Sequence, residues 1–266
     1  MKPTGRRKPM EHLENMKTAR SIPTQSEQHK PQLIRSNLLI PCTDGFEITG
    51  YLTRPDSCQR LPALVFVFEA FGFTAEMKRV ADDFAAAGYV VLMPNLFSRG
   101  GWLSCIRSVM KDLHRGEGQG VQDIISARQW LVQCPFADPT HIGIIGFCMG
   151  GGFALLLANK GLFQVAAPFY GPAPERLDGA CPIVASYGAR DRLMAPEAAK
   201  IMAETKRLNI PSDVKIYPEA GHSFMNKAPN PMIGLIARLS PMHCKYDPVV
   251  AEDAKNRVVA FLKEHI

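Results

Sequence analysis

The sequence lacks long apolar stretches. In its 266 residues no run approaches the roughly 20 consecutive apolar residues that a membrane-spanning helix needs. The apolar centre of a secretory signal peptide is also missing near the first residue. These absences predict a protein that neither spans nor binds a membrane and that resides in the cytoplasm.

Paired cysteines of the metal-binding kind are missing too. The seven cysteines are odd in number and form no Cys-x-x-Cys pair, which disfavours both a disulfide framework and a zinc site. The pattern instead predicts free thiols in a reducing compartment. We expect no metal and no cofactor.

Excess positive charge is scarce outside residues 1–35. That segment carries eight Lys or Arg against three Glu, and so holds +5 of the chain's net charge of +6. Because it also lacks apolar periodicity, it is predicted to be a basic, disordered extension. An organelle presequence, which the Glu residues disfavour, and a true start at Met10 or Met16 stay open. Residues 36–266 are nearly neutral, which argues against binding of nucleic acid.

Strand-like and helix-like segments alternate through residues 36–266. A hairpin is predicted around Asp44 and Gly45, and a closing helix over about 248–264. The other predicted strands are 63–68, 89–93, 141–145, 165–170, 182–187 and 213–217, and the other predicted helices are 75–87, 121–133, 153–158 and 196–208. This alternation is typical of an α/β fold with a mostly parallel twisted sheet and helices on both faces.

A cysteine stands at the centre of a glycine-rich turn after one of these strands. Gly146, Cys148 and Gly150 have the spacing of the Gly-x-Ser-x-Gly nucleophile elbow, with sulfur in place of the hydroxyl oxygen. Glycine suits the flanking positions because a bulky side chain there would clash in so sharp a turn. The strand before the turn and the helix after it supply the context that the motif requires. The pattern therefore predicts a thiol nucleophile.

The same turn has two simpler interpretations. Cysteine is often only a small buried apolar residue, and the glycines would then allow close packing of helix on strand. A glycine-rich turn can also hold a phosphate, but neither Gly-x-Gly-x-x-Gly nor Gly-Lys-Ser/Thr occurs at this turn. Residues further along the chain favour the nucleophile.

Two polar residues follow later strands in the order of a catalytic triad. Asp191 follows the strand 182–187, and His222 follows the strand 213–217. Alone, the first would be interpreted as a helix cap and the second as a solvated loop residue. Parallel strands place their carboxyl ends at one edge of the sheet, so both residues are expected beside Cys148. The chain order of nucleophile, Asp and His favours a triad.

Glu69 ends the apolar strand 63–68 at the same edge. Its simple interpretation is a cap for the helix that starts near Thr74. A carboxylate near the predicted position of Cys148 is better explained as part of the site.

Five segments together resemble the dienelactone hydrolase family. They are residues 68–72, 94–99, 146–151, 188–191 and 219–224. The resemblance spans residues 36–266 and implies an α/β-hydrolase fold without a large cap domain. It also implies an enzyme that hydrolyses a small ester or lactone through Cys148, His222 and Asp191.

The resemblance implies roles for further residues. Glu69 matches the family's active-site glutamate, which helps the thiol to ionise. The backbone N–H groups of Ala70 and Met149 match the oxyanion hole. Arg99 matches an arginine that contacts the carboxylate of the substrate.

One position departs from the family. A second substrate-binding arginine is expected four residues after the histidine, and Asn226 stands there. Lys227 is adjacent and could compensate, so Ser223, Asn226 and Lys227 are the remaining candidates for substrate binding. The stretch 226–246, rich in Pro and Met, is predicted to be a flexible flap over the site.

The predicted function is hydrolysis of an ester or lactone by way of a thioester, with dienelactone itself in doubt as the substrate. A monomer is favoured. Two alternatives stay open: a redox sensor on a hydrolase fold, with Cys148 tuned by Glu69 and His222, and a catalytically silent scaffold whose basic extension recruits a partner.

Overall fold

The computed structural model describes residues 31–266. Most of the predicted basic extension therefore lies outside the described residues. The first strand, β1, already begins at Leu33 and pairs with β2 along its whole length. Arg35, inside β1, is anchored by an ion pair of 2.8 Å to Asp82. The first described strand thus starts three residues before the predicted boundary at residue 36.

The strands and helices that were expected from the apolar pattern are confirmed, with small shifts of their ends. The strands are β1 Leu33–Pro41, β2 Glu47–Pro55, β3 Leu61–Val67, β4 Val90–Pro94, β5 Ala137–Phe147, β6 Ala166–Phe169, β7 Ile183–Gly188 and β8 Ser212–Tyr217. The helices are α1 Ala75–Ala86, α2 Trp102–Arg115, α3 Gln119–Gln133, α4 Met149–Ala158, α5 Ala195–Leu208, α6 Pro231–Leu239 and α7 Pro248–His265.

The eight strands form one sheet in the order β1-β2-β4-β3-β5-β6-β7-β8. The pairs β1–β2 and β2–β4 are antiparallel, and all later pairs are parallel. The central strands β3 and β5 are almost entirely apolar where they pair, and their side chains are buried. This is what parallel strands require when helices cover the sheet. The predicted mostly parallel sheet is confirmed.

Two helices lie where no helix was expected. The helix α2 has buried Cys105 and Val109 on one side, and Gly116 ends it in the left-handed region with φ 74°. The helix α6 lies inside the predicted flap and begins after Asn230, whose side chain accepts the N–H of Ile233 at 2.9 Å. It buries none of its residues. Within residues 31–266, no helix combines the length and apolar character needed to cross a membrane.

Candidate active site

Cys148 lies in the sharp turn between β5 and α4. Its φ of 55° places a residue with a side chain in the left-handed region, which costs about 1–3 kcal/mol. The turn is held because the N–H of Cys148 donates to the carbonyl of Phe169 at 3.0 Å. At Gly150, the second residue of α4, an added Cβ would run into the carbonyl oxygens of Val67 and Phe68. The elbow therefore needs glycine for a close approach to β3.

His222 and Asp191 form a buried pair. The imidazole Nδ1 lies 2.6 Å from Asp191 Oδ2, and both side chains are almost fully buried. The other carboxylate oxygen of Asp191 accepts the N–H groups of Leu193 and Met194, each at 3.1 Å. These contacts fix the carboxylate at the end of β7, so it orients the ring.

The second ring nitrogen of His222, Nε2, is buried and has no hydrogen-bond partner within residues 31–266. Burial disfavours the charged ring, but a thiolate at Cys148 and the bond to Asp191 outweigh it and raise the pKa of His222 to about 10. Cys148 therefore lies close enough to stabilise an imidazolium. The structure brings Cys148, His222 and Asp191 together at the carboxyl edge of the sheet.

Glu69 is buried at the same edge, 4% exposed. Its carboxylate accepts hydrogen bonds from Ser223 Oγ at 3.1 Å and from Asn226 Nδ2 at 2.9 Å. Burial raises the pKa of Glu69, although the hydroxyl of Ser223, the charge of His222 and the amide of Asn226 oppose that rise. The cap of α1 is Thr74, whose hydroxyl accepts the N–H of Met77, so Glu69 is not a helix cap.

Tyr170 belongs to the same network, and the motif pattern did not single it out. Its hydroxyl donates to Asn226 Oδ1 at 3.1 Å, and its ring centroid lies 4.7 Å from that of His222. A chain of hydrogen bonds thus runs from Tyr170 through Asn226 to Glu69. The only sequence signal was its place at the end of the strand β6, the same kind of place that Glu69 and Asp191 occupy.

Arg99 is engaged away from this cluster. Its guanidinium binds the buried carboxylate of Asp123 through Nε at 3.0 Å and Nη2 at 2.8 Å. It also binds Asp44 through Nη1 at 2.7 Å, and it lies over the ring of Phe46. Arg99 therefore ties the turn between β1 and β2 to α3. This arrangement differs from the predicted contact with a substrate carboxylate, because both hydrogen-bonding edges of the guanidinium are already paired with the carboxylates of Asp44 and Asp123.

The two amides predicted for the oxyanion hole lie at the ends of β3 and β5. Ala70 follows Glu69, and Met149 is the first residue of α4. Neither backbone N–H donates a hydrogen bond to another described residue. Helix N-termini offer such free donors to an anion.

A cavity of about 400 Å³ opens over Glu69 and Ser223. Asn226 and Lys227 also line it, so three of the predicted substrate-binding residues border one space. Cys148 itself does not line this cavity. Much of the remaining wall comes from α6 and the residues that follow it. In the described part of the chain, no group of His, Cys, Asp and Glu side chains could hold a metal ion.

The chain is similar to known proteins over most of its length. The model of the dienelactone hydrolase family matches residues 48–266. Protein usf of Aquifex pyrophilus is 26% identical over 237 residues, covering 84% of this chain and 96% of the relative. The carboxymethylenebutenolidase of Pseudomonas putida is 24% identical over 223 residues, covering 78% and 93%.

A solved structure has the same fold. It is a dienelactone hydrolase-like promiscuous phosphotriesterase from metagenomic libraries, with a TM-score of 0.72 and 20% identity, covering 88% of this chain and 98% of its own. At that identity the likeness shows the fold alone.

The close approach at the elbow predicts that alanine substitutions at two glycines differ sharply in their effect on the free energy of unfolding. Gly150→Ala should destabilise the fold by about 1–3 kcal/mol or more, because its Cβ has no space beside β3. Gly101→Ala should change the free energy of unfolding little, since nothing lies within 4 Å of its added Cβ. Urea unfolding of both variants measures this. Equal effects at the two positions would contradict the close approach.

Burial of Glu69 predicts that Glu69→Gln stabilises the fold at alkaline pH. Below the ordinary pKa of 4.5, folded and unfolded chains both hold the proton, and the charge costs nothing. Above it, the unfolded chain releases the proton while burial resists release in the folded chain, so the wild type loses stability as pH rises. The variant should gain on the order of 1 kcal/mol at pH 8 and progressively less towards pH 4.

Thermal unfolding across this pH range measures the gain, with the exposed Glu264→Gln as the control. A gain by Glu69→Gln that does not change with pH would show that the charge of Glu69 is not the cause.

Proposed function

The chain belongs to the dienelactone hydrolase family and has the α/β-hydrolase fold, and on that premise we propose that it cleaves its ester or lactone through Cys148, His222 and Asp191 by way of a thioester. The family makes the chain a hydrolase of esters or lactones. The triad is supported above all by one observation. Nδ1 of the buried His222 lies 2.6 Å from Asp191, and its Nε2 has no hydrogen-bond partner among the described residues. The charge of Cys148 raises the pKa of His222.

In the first half of the reaction, the thiolate of Cys148 adds to the carbonyl carbon, and the carbonyl electron pair moves onto oxygen. The N–H groups of Ala70 and Met149 stabilise that oxyanion, a contribution typically worth about 10²–10³ in rate per donor. The oxyanion then re-forms the carbonyl and expels the alcohol or enol oxygen. This leaving oxygen takes the proton from His222 Nε2, and a thioester remains.

In the second half, water attacks the thioester carbonyl and gives its proton to His222 Nε2. The sulfur of Cys148 leaves as a thiolate, which the imidazolium stabilises, and the acid is released. Asp191 keeps the proton on Nδ1 and so fixes the useful tautomer of the ring throughout. Because a thiolate both attacks and leaves readily, this site suits activated esters, enol-lactones and thioesters better than amides.

Glu69 acts in this proposal through charge. A negative Glu69 and a positive His222 stabilise each other, since the charge of His222 lowers the pKa of Glu69 against the effect of burial. Ser223 and Asn226 hold the carboxylate in place. The nearby negative charge therefore favours the imidazolium that the first half of the reaction needs as its proton donor.

Replacing the nucleophile tests the proposal. Cys148→Ala should lower kcat/KM for 4-nitrophenyl acetate by about 10³-fold or more, because no other group can form the thioester. Cys58→Ala, at an exposed free cysteine, is the matched control and should retain full activity. More than a tenth of the wild-type activity in Cys148→Ala would refute the mechanism. Rapid oxidation of Cys148 by peroxide in a wild-type protein that hydrolyses no ester would favour a redox sensor.

A further inference from the structure

The family resemblance places substrate-binding arginines at two positions. Neither position presents a free positive charge to a carboxylate beside the scissile bond. Arg99 is paired with Asp44 and Asp123. Asn226 is neutral, 3% exposed, and its amide is used at both ends by Glu69 and Tyr170. A carboxylate placed here would also approach the buried Glu69. The part of the cavity wall that Glu69 and Asn226 form therefore disfavours an anionic group.

Part of the cavity wall is apolar. Phe71 contributes to it, and α6 supplies Ile233, Leu235 and Ala237. These side chains offer dispersion contacts and no hydrogen-bonding groups, so they favour an aliphatic or aromatic part of a substrate. The space of about 400 Å³ has the size of sites that take small organic ligands.

Three cations also line the cavity. They are Lys227, Arg238 and Lys245, all three are exposed, and the stretch 226–246 contains no Asp or Glu. Within residues 31–266, neither Arg238 nor Lys245 forms an ion pair with a carboxylate. Exposed, unpaired cations that line a cleft attract an anionic group of the ligand.

These cations stand at a fixed place relative to the candidate triad. The backbone N–H of Lys245 donates to the carbonyl of His222 at 3.1 Å. The N–H of the preceding Cys244 donates to the carbonyl of Ala237, next to Arg238, also at 3.1 Å. The segment that carries Arg238 and Lys245 is therefore tied by backbone hydrogen bonds to the loop that carries the histidine.

We propose that the substrate of this site carries an anionic group that binds Arg238 and Lys245, and an apolar segment that packs against α6. Arg238 and Lys245 determine this specificity, together with Lys227. The inference rests on the proposed function, and it names a substrate class that differs from lactones with a carboxylate beside the reacting ring.

Two matched pairs of substrates test it. The first pair is 4-nitrophenyl hexanoate and the 4-nitrophenyl monoester of adipic acid, which have equal acyl length and differ in a remote carboxylate. We expect kcat/KM to be about tenfold higher for the adipate monoester, through a lower KM, and this advantage to vanish in 0.5 M NaCl. The second pair is 5-methylidenefuran-2-one and its carboxymethylidene analogue, of which the uncharged lactone should be preferred.

The double variant Arg238→Ala/Lys245→Ala should bring the ratio of kcat/KM between adipate monoester and hexanoate to about one. Lys263→Ala, which removes an exposed cation from α7, should keep the wild-type ratio. Because salt acts without any substitution, the test does not depend on how the double variant folds.

A wild-type ratio of one or less, a ratio that survives in the double variant, or a preference for the carboxymethylidene lactone would each overturn the proposal while leaving the thioester mechanism intact. Hydrolysis of none of the four compounds would instead refute the proposed function.

Discussion

The carboxyl edge of the sheet is held by backbone-to-backbone contacts that leave no space for side chains, and the site depends on them. At the elbow, α4 approaches the end of β3 at Gly150. At the other end of the site, an added Cβ on Gly188, at the end of β7, would collide with the carbonyl of Gly221. That residue directly precedes His222. The same close packing that ends the strands therefore places the thiol, the carboxylate and the imidazole within reach of one another.

This edge gathers several ionisable groups where water is largely excluded. Glu69 and Asp191 are buried. Burial raises the pKa of Glu69, whereas the charge of Cys148 and the bond to Asp191 raise the pKa of His222 against the effect of burial. A buried carboxylate is costly, and Glu69 is tolerated because Ser223 and Asn226 donate to it. A buried, charged Glu69 lowers the stability of the fold, a cost that is common at functional sites.

Much of the fold and of the candidate triad could be predicted from the sequence, because both rest on local patterns. Apolar strands and amphipathic helices alternate clearly, and Cys148, Asp191 and His222 each follow a strand. The helix α6 was harder to predict, since it buries none of its residues and so shows no core-facing stripe. The helix α2 did carry a usable signal in its apolar spacing and in Gly116 at its end.

Contacts between distant parts of the chain could not be predicted in this way. The local motif around Arg99 matched the family, but its role depends on Asp44 and Asp123, which are 55 and 24 residues away. The bond from Asn226 to Glu69 spans 157 residues. No spacing rule reports such pairs. Such contacts occupy Arg99 and Asn226. They therefore influence which substrates the cavity can accept.

The central claim, a covalent thioester on Cys148, is tested most directly by trapping it. The protein is mixed with 4-nitrophenyl hexanoate, quenched in acid within its first turnover, digested and analysed by mass spectrometry. The account predicts one hexanoyl group on the peptide that contains Cys148, formed with the burst of 4-nitrophenol and lost as hexanoate is released. A burst without acyl label, or a label on another residue, would contradict it.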